Sequence, residues 1–211
     1  MQKDKIKTDW SHGENPEDYK CCVAFHGHDC PGLAVGYRAA QAALAALCGE
    51  RAEDEELVAI VETDACGVDA LQVLTGCTFG KGNLIYQDHG KHVFTLIERK
   101  SGRGVRVALK AGVMEMNERH LTLMEKVHQM TATPHETAEF WKIHSQKALE
   151  ILQKPIETLF NIQPINRTLP PKARREPSRL CARCGEPAMG SKLVVLDGRE
   201  VCRDCLQPEE R

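Results

Sequence analysis

The stretch CARCGEPAMGSKLVVLDGREVCRDC, residues 181–205, determines how the last part of this chain folds. Its four cysteines form two C-x-x-C pairs, Cys181 with Cys184 and Cys202 with Cys205, and seventeen residues separate the pairs. Each pair presents two thiolates on one side of a turn, and four thiolates complete the tetrahedral shell that zinc takes in structural sites. The spacing therefore predicts a structural zinc ion, with unrelated cysteines or disulfides as the alternatives.

The residues around these pairs define a small C-terminal module. Between the pairs, two runs of β-forming residues flank Asp197-Gly198, a typical hairpin turn. So few apolar residues cannot form a core without the metal. Upstream, prolines and basic residues alternate between residues 164 and 177, which is typical of an extended linker. We therefore predict a core domain over residues 1–167, and a linker with a zinc-finger domain over residues 168–211.

The composition limits the classes of function. The 211 residues carry a net charge of −2 and only 5% aromatic residues, which argues against a nucleic-acid-binding protein. Neither a signal peptide nor a run of eighteen apolar residues is evident, so we expect no membrane association. We expect a cytoplasmic protein with reduced cysteines, and in that compartment cysteines are more often metal-binding, catalytic or buried than paired.

Residues 1–167 alternate helical and strand patterns before they end in helices. Residues 56–62 form a short, β-branched apolar run typical of a buried strand, and Pro31 and Thr133-Pro134 are typical helix starts. The sequence predicts an α+β core. Its expected helices are residues 33–48, 68–75, 113–130 and 135–154, and its expected strands are residues 56–62, 83–87, 92–99 and 105–110.

The residues with the most chemical potential stand directly before the first predicted helix. His26, His28 and Cys30 lie within five residues of one another, and a helix start lowers the pKa of a thiol placed before it. Two imidazoles and a sulfur are suitable ligands for a transition metal, or the thiol could act as a nucleophile. The alternative is a turn whose histidines cap backbone groups and whose cysteine is only packed.

Two later segments extend this candidate site. Cys66 and Asp64 follow the predicted buried strand, so Cys66 could join the cluster. Asp64 could orient an imidazole, ligate the metal directly or move a proton, and Asp69 is expected to cap a helix. Residues 76–83 are glycine-rich but lack phosphate-loop spacing. Cys77 and Lys81 bring a thiol and an ammonium to this loop, which either binds an anionic ligand or only makes a tight turn. Cys77 could also ligate a metal.

Together, the segments FHGHDCPG (25–32), GYRAA (36–40), VETDACGVD (61–69) and LTGCTFGKGN (74–83) resemble the formylmethanofuran dehydrogenase FmdE family. The resemblance covers most of residues 20–110. It implies a thioredoxin-like α+β core with a mixed sheet flanked by helices, followed in some members by a treble-clef zinc finger whose last pair of cysteines begins a short helix. It also implies a metal-binding active site built from the His and Cys motifs.

The chemistry and the resemblance support two hypotheses. In the first, His26, His28, Cys30 and Cys66 line a site for a second transition metal, which we expect to be zinc, or for thiol chemistry that serves one-carbon or molybdenum-enzyme metabolism. In the second, the protein is an adapter without catalysis of its own, and the zinc finger binds a partner. We expect a homodimer and association with a larger redox enzyme; whether the protein is itself an enzyme is left open.

Overall fold

A computed structural model describes residues 16–206 as two compact units that divide between Lys172 and Ala173. The boundary predicted after residue 167 stays a prediction. In the first unit, two helices precede the first strand, and a third helix follows it. Its helices are α1 Glu17–His26, α2 Pro31–Leu47, α3 Gly67–Thr75, α4 Glu118–His128, α5 Pro134–Gln153 and α6 Ile156–Leu159. No helix within residues 16–206 is long and apolar enough to cross a membrane.

The strands of the first unit form one mixed five-stranded sheet. They are β1 Leu57–Val61, β2 Leu84–Tyr86, β3 Val93–Glu98, β4 Arg103–Leu109 and β5 Phe160–Asn166, in the spatial order β2-β1-β3-β4-β5. β1 runs parallel to β2, with Ala59 opposite Leu84, and every other pair is antiparallel. An α+β core with a mixed sheet flanked by helices is confirmed, and its thioredoxin-like character stays a prediction.

The core forms where the alanine-rich face of α2 and one face of the sheet meet. All five residues of β1 are buried, which explains the unbroken apolar run in the sequence. Small side chains such as Ala39 and Ala43 on α2 are fully buried and let neighbouring elements approach closely. The closest approach is between α2 and α3, where a Cβ added to Gly36 would lie 2.0 Å from the carbonyl oxygen of Gly67. This approach brings the two helix N-termini together.

Three elements of the first unit were not predicted, and the shortest is α6. Residues 17–26 form helix α1, although their apolar residues show little helical periodicity, and α1 holds buried Tyr19 and Cys22. Residues 160–166 form β5, which pairs with β4 along its whole length at the edge of the sheet, despite Pro164. The helix expected from residue 113 begins only at Glu118, because the Asn117 side chain accepts a hydrogen bond from the His120 amide as its N-cap.

The second unit consists of two hairpins. β6 Ser178–Leu180 pairs with β7 Pro187–Met189, and β8 Val194–Leu196 pairs with β9 Arg199–Val201. Asp197 and Gly198 both take the positive φ that a two-residue turn of this kind requires, so the predicted hairpin is confirmed. After β9 the chain makes one 3-10 turn, Asp204–Leu206. Any further part of the expected final helix lies outside the described residues.

Candidate metal centre

The candidate site of the first unit lies in the short connection between α1 and α2. α1 ends at His26, and Gly27 takes a left-handed conformation with φ 96° that ends the helix. His28 and Asp29 follow, and Cys30 is the N-cap of α2, where its Sγ accepts a hydrogen bond from the Leu33 amide at 3.3 Å. Two helix ends therefore fix the positions of His26 and Cys30.

His26, His28 and Cys30 present one ligand atom each, and these atoms all lie within 4.8 Å of one another. The distance from Cys30 Sγ to His26 Nε2 is 3.9 Å. A zinc ion bound to both atoms would hold them roughly 3.6 Å apart, so the donors fit this metal after small side-chain movements. Cys30 is buried and His28 is exposed, which makes the cluster closed on the protein side and open on the solvent side.

Asp69 orients the His26 ring from the first turn of α3. Its Oδ2 lies 2.7 Å from His26 Nδ1, so Nδ1 carries the proton and Nε2, on the side of Cys30, is free to bind a metal. Burial lowers the pKa of His26, but the hydrogen bond to Asp69 and the nearby Cys66 outweigh it and raise the pKa above 6.5. The sequence had suggested Asp64 for this orienting role and a capping role for Asp69. The structure has Asp69 in contact with the imidazole, and Asp64 is exposed.

Cys66 stands at the start of α3, and its sulfur lies near that of Cys30, because a Cβ added to Gly32 would lie 3.6 Å from one and 3.9 Å from the other. The neighbouring Cys30 thiol and the His26 imidazole lower the pKa of Cys66, although partial burial opposes this. The pKa of Cys30 is raised, because its thiol donates to Cys66 and is desolvated. The amides of Leu33 and Gly32 at the start of α2 do lower the pKa of Cys30, as expected, but the neighbouring Cys66 and desolvation outweigh them, so the favoured thiolate is Cys66.

Cys77 and Lys81 lie away from this cluster. They follow the C-terminal end of α3, and Cys66 stands at its N-terminal end, about 13 Å away for a helix of this length. Cys77 is fully buried, and desolvation raises the pKa of its thiol to about 11. The Lys81 ammonium donates to the backbone carbonyls of Glu53 and Gly76. In this structure Lys81 therefore closes the glycine-rich turn, and neither residue extends the candidate site.

Aromatic residues of α5 border the exposed side of the cluster. The rings of His28 and Trp141 meet edge-on with centroids 5.9 Å apart. A cavity of about 540 Å³ opens beside Trp141 and is also lined by Asp29 and residues of α5, among them Lys142, Ser145 and Gln146. The Tyr19 hydroxyl donates to Asp29 and fixes it. The sequence offered no indication of this wall, because residues far apart in the chain form it.

Next to this wall, two histidines form a pair between α4 and α5. Nε2 of His120 lies 2.9 Å from Nδ1 of His144. Burial lowers the pKa of both rings below 6.5. Lys147 lowers the pKa of His120 further, and His120 and His28 lower the pKa of His144 further. Asp29 opposes this at His144, where it has the smallest effect. The folded protein therefore holds both rings neutral.

The His120–His144 pair makes stability depend on pH in one direction. The folded protein resists protonation of these rings, so the unfolded state binds more protons below pH 6.5. The contribution of the pair to the free energy of unfolding therefore falls as the pH falls. We expect the stability advantage of the wild type over His144→Gln to narrow from pH 7 to pH 5, measured by urea unfolding. His135→Gln, at an exposed position in the same helix, is the control with no such trend. A constant or widening advantage contradicts this account.

In the second unit, Sγ atoms of Cys181, Cys184, Cys202 and Cys205 all lie within 4.8 Å of one another. The sulfurs of Cys184 and Cys202 are 3.9 Å apart, close to the roughly 3.8 Å of a zinc tetrathiolate. Amides of Cys184, Cys202 and Arg183 donate to Cys181 and lower its pKa, which favours the thiolate that binds metal. The predicted structural zinc site therefore has the donor set and spacing that zinc requires.

Comparison with known proteins identifies both units. Residues 25–161 match the family model described as FmdE, Molybdenum formylmethanofuran dehydrogenase operon. The chain belongs to the FmdE family. Residues 175–211 match the prokaryotic dksA/traR C4-type zinc finger. The four-cysteine cluster and this match support structural zinc binding in the C-terminal unit of this FmdE-family chain.

Two individual proteins are similar to this FmdE-family chain over most of its length. A crystal structure of a tungsten formylmethanofuran dehydrogenase FmdE-like protein from Syntrophus aciditrophicus has a TM-score of 0.59 and 25% identity, over 92% of this chain and 94% of that one. A probable S-adenosyl-L-methionine-binding protein of Archaeoglobus fulgidus is 36% identical over 94% of this chain. The chain spans only 56% of that relative, so the binding property in its name belongs to the whole relative.

Proposed function

We propose that this FmdE-family protein is a metalloprotein whose core site binds a transition metal, zinc, through His26, His28 and Cys30, in addition to the structural zinc of the finger. The observation that carries the proposal is the convergence of three ligand atoms within 4.8 Å, one of them on an imidazole held by Asp69. A carboxylate on the second nitrogen of a ligating histidine is the usual support of metal sites. The family description supports a link to one-carbon or molybdenum-enzyme metabolism.

A zinc ion with only three protein ligands acts as a Lewis acid towards a bound water or carbonyl. The residues of this chain prepare such a site in distinct ways. Asp69 fixes the tautomer of His26, and the Leu33 amide orients the Cys30 sulfur. Exposed His28 faces solvent and Trp141, which leaves a path for a small molecule. Cys66, whose sulfur borders the same space as that of Cys30, is the group nearest to hand to complete the shell or to exchange a proton.

Metal content per chain tests the proposal. We expect the full chain to hold a second zinc beyond that of the finger, and expect His26→Ala with His28→Ala to remove only the second one, because the finger ligands are untouched. Inductively coupled plasma mass spectrometry on purified protein measures this. His89→Ala with His135→Ala, which removes two exposed histidines outside the cluster, is the matched control and should keep both ions.

The finger variants separate the two sites. With Cys181→Ser and Cys202→Ser together, the core zinc should remain. A content of one zinc per chain that disappears in this double variant would refute the core site.

An adapter role is the second candidate, and exposed apolar residues of the zinc finger favour it. Leu180 on β6 and Val195 on β8 are 69% and 68% exposed. Such residues suit contact with a protein, which would be a second copy of this chain or a larger redox enzyme, more than with nucleic acid. Size-exclusion chromatography with light scattering, with and without residues 168–211, tests this role. If the chain associates equally well without residues 168–211, the zinc finger does not bind the partner and the adapter role is wrong.

A further inference from the structure

The sulfurs of Cys30 and Cys66 lie near each other at the N-terminal ends of α2 and α3. Cys30 is the N-cap of α2, and Cys66 is the residue before α3. A Cβ added to Gly32 would lie 3.6 Å from Cys66 Sγ and 3.9 Å from Cys30 Sγ, so both sulfurs border the same small space. The absence of a side chain at Gly32 leaves that space to the thiol pair.

The two thiols differ in access. Cys30 is only 3% exposed, whereas Cys66 is partly exposed, and both are free thiols. A small reagent can therefore reach Cys66, and the buried Cys30 sulfur borders the same space. This order of an accessible and a buried sulfur is what a reactive and a resolving cysteine require. Two other cysteines of the described core lie apart from this pair: exposed Cys48 ends α2, and Cys77 is buried beyond the far end of α3. Exposed Cys21 and buried Cys22 are sequence neighbours within α1, and neither stands at a helix N-terminus as Cys30 and Cys66 do.

We propose that Cys30 and Cys66 form a reversible disulfide, and that this disulfide and a bound core metal exclude each other. The first part stands on the thiol geometry alone. The second part rests on the proposed function, because Cys30 can be a metal ligand only as a thiolate. The site would then hold its metal under reducing conditions and release it when the pair is oxidised.

The oxidant is a low-molecular-weight disulfide. The Cys66 thiolate attacks one of its sulfurs, the sulfur–sulfur bond breaks, and one thiolate leaves with a mixed disulfide formed on Cys66. Cys30 then attacks Cys66 Sγ and displaces the second thiolate, which takes the proton of Cys30. Two protein thiols are thus oxidised by two electrons, and one small disulfide is reduced to two thiols.

Oxidation of the full chain by glutathione disulfide tests both parts. The reaction is run with one and with two equivalents of zinc, quenched with an alkylating reagent and analysed by peptide mapping. We expect a Cys30–Cys66 cross-link that dithiothreitol reverses, and at least tenfold slower formation with the second zinc. Cys30→Ser should accumulate glutathione on Cys66, whereas Cys66→Ser should leave Cys30 unmodified. Cys48→Ser, at an exposed position outside the pair, should behave like the wild type.

Each alternative outcome has a separate meaning. Stable glutathione on Cys66 of the wild type, or two unmodified thiols while Cys48 reacts, overturns the disulfide. A cross-link that forms equally fast with one and two equivalents of zinc, in protein shown to hold both ions, overturns only the exclusion. A chain that never holds a second zinc refutes the proposed function and leaves the cross-link to stand by itself. Circular dichroism on Cys66→Ser and Cys66→Ala verifies that each variant is folded.

Discussion

Replacing Cys181 with serine is expected to release the zinc from the C-terminal unit and to unfold that unit. Among the residues described there, only a few side chains form its core: Cys181, Val201 and Cys205 are buried, and Leu196 and Leu206 pack against them. Structural zinc sites supply about 10 kcal/mol or more of binding free energy, which a core this small cannot replace. The expected result is loss of one zinc per chain and rapid proteolysis between residues 173 and 206.

Metal analysis and limited proteolysis followed by mass spectrometry measure this effect. Cys48→Ser, which removes an exposed cysteine of the first unit, should keep the zinc and the protease resistance. Chelation of the wild type should reproduce the cleavage pattern of Cys181→Ser. A variant without zinc whose C-terminal unit still resists protease would show that the hairpins are stable without the metal.

Replacing Gly36 with alanine is expected to cost about 3 kcal/mol of stability or more. In an isolated helix this change would stabilise by about 1 kcal/mol, because alanine is the better helix former. Here the new Cβ would lie 2.0 Å from the Gly67 carbonyl oxygen and 2.3 Å from Gly67 Cα, and backbone atoms cannot turn aside. The two helices must therefore separate, and the thiol pair at their N-termini separates with them.

Urea unfolding followed by circular dichroism measures the loss of stability. Gly80→Ala is the control, because an added Cβ there meets nothing within 4 Å, and its effect should stay within about 0.5 kcal/mol. In Gly36→Ala the rate of cross-linking between Cys30 and Cys66 should also fall. A variant as stable as the wild type would mean that α2 and α3 do not approach as closely as described.

Local chemistry made much of the fold predictable. Pro31 opens α2, and Thr133 caps α5 in a capping box with Glu136, because both features depend only on neighbouring residues. The unbroken apolar run of β1 likewise indicated a buried strand. The same principle explains the missed elements: α1 lacks a clear apolar stripe, α6 is a single turn of four residues, and Pro164 made β5 resemble part of the linker.

The candidate site was predictable only in part, because its second half depends on tertiary contacts. His26, His28 and Cys30 lie together in the sequence and were recognised together. Asp69 is 43 residues from His26, and nothing local distinguishes it from a helix cap. The remaining indication was its position three residues after Cys66, which places both on the same face of the chain entering α3.

Pro164 lies on β5, whose second edge has no neighbouring strand in the described sheet. An open edge invites strands of other molecules to add to it, which is a common start of aggregation. A proline has no amide hydrogen to donate to an incoming strand, and prolines in sheets are confined to such edges. The residue that obscured β5 in the sequence therefore makes this side of the sheet a poor template for intermolecular strand addition.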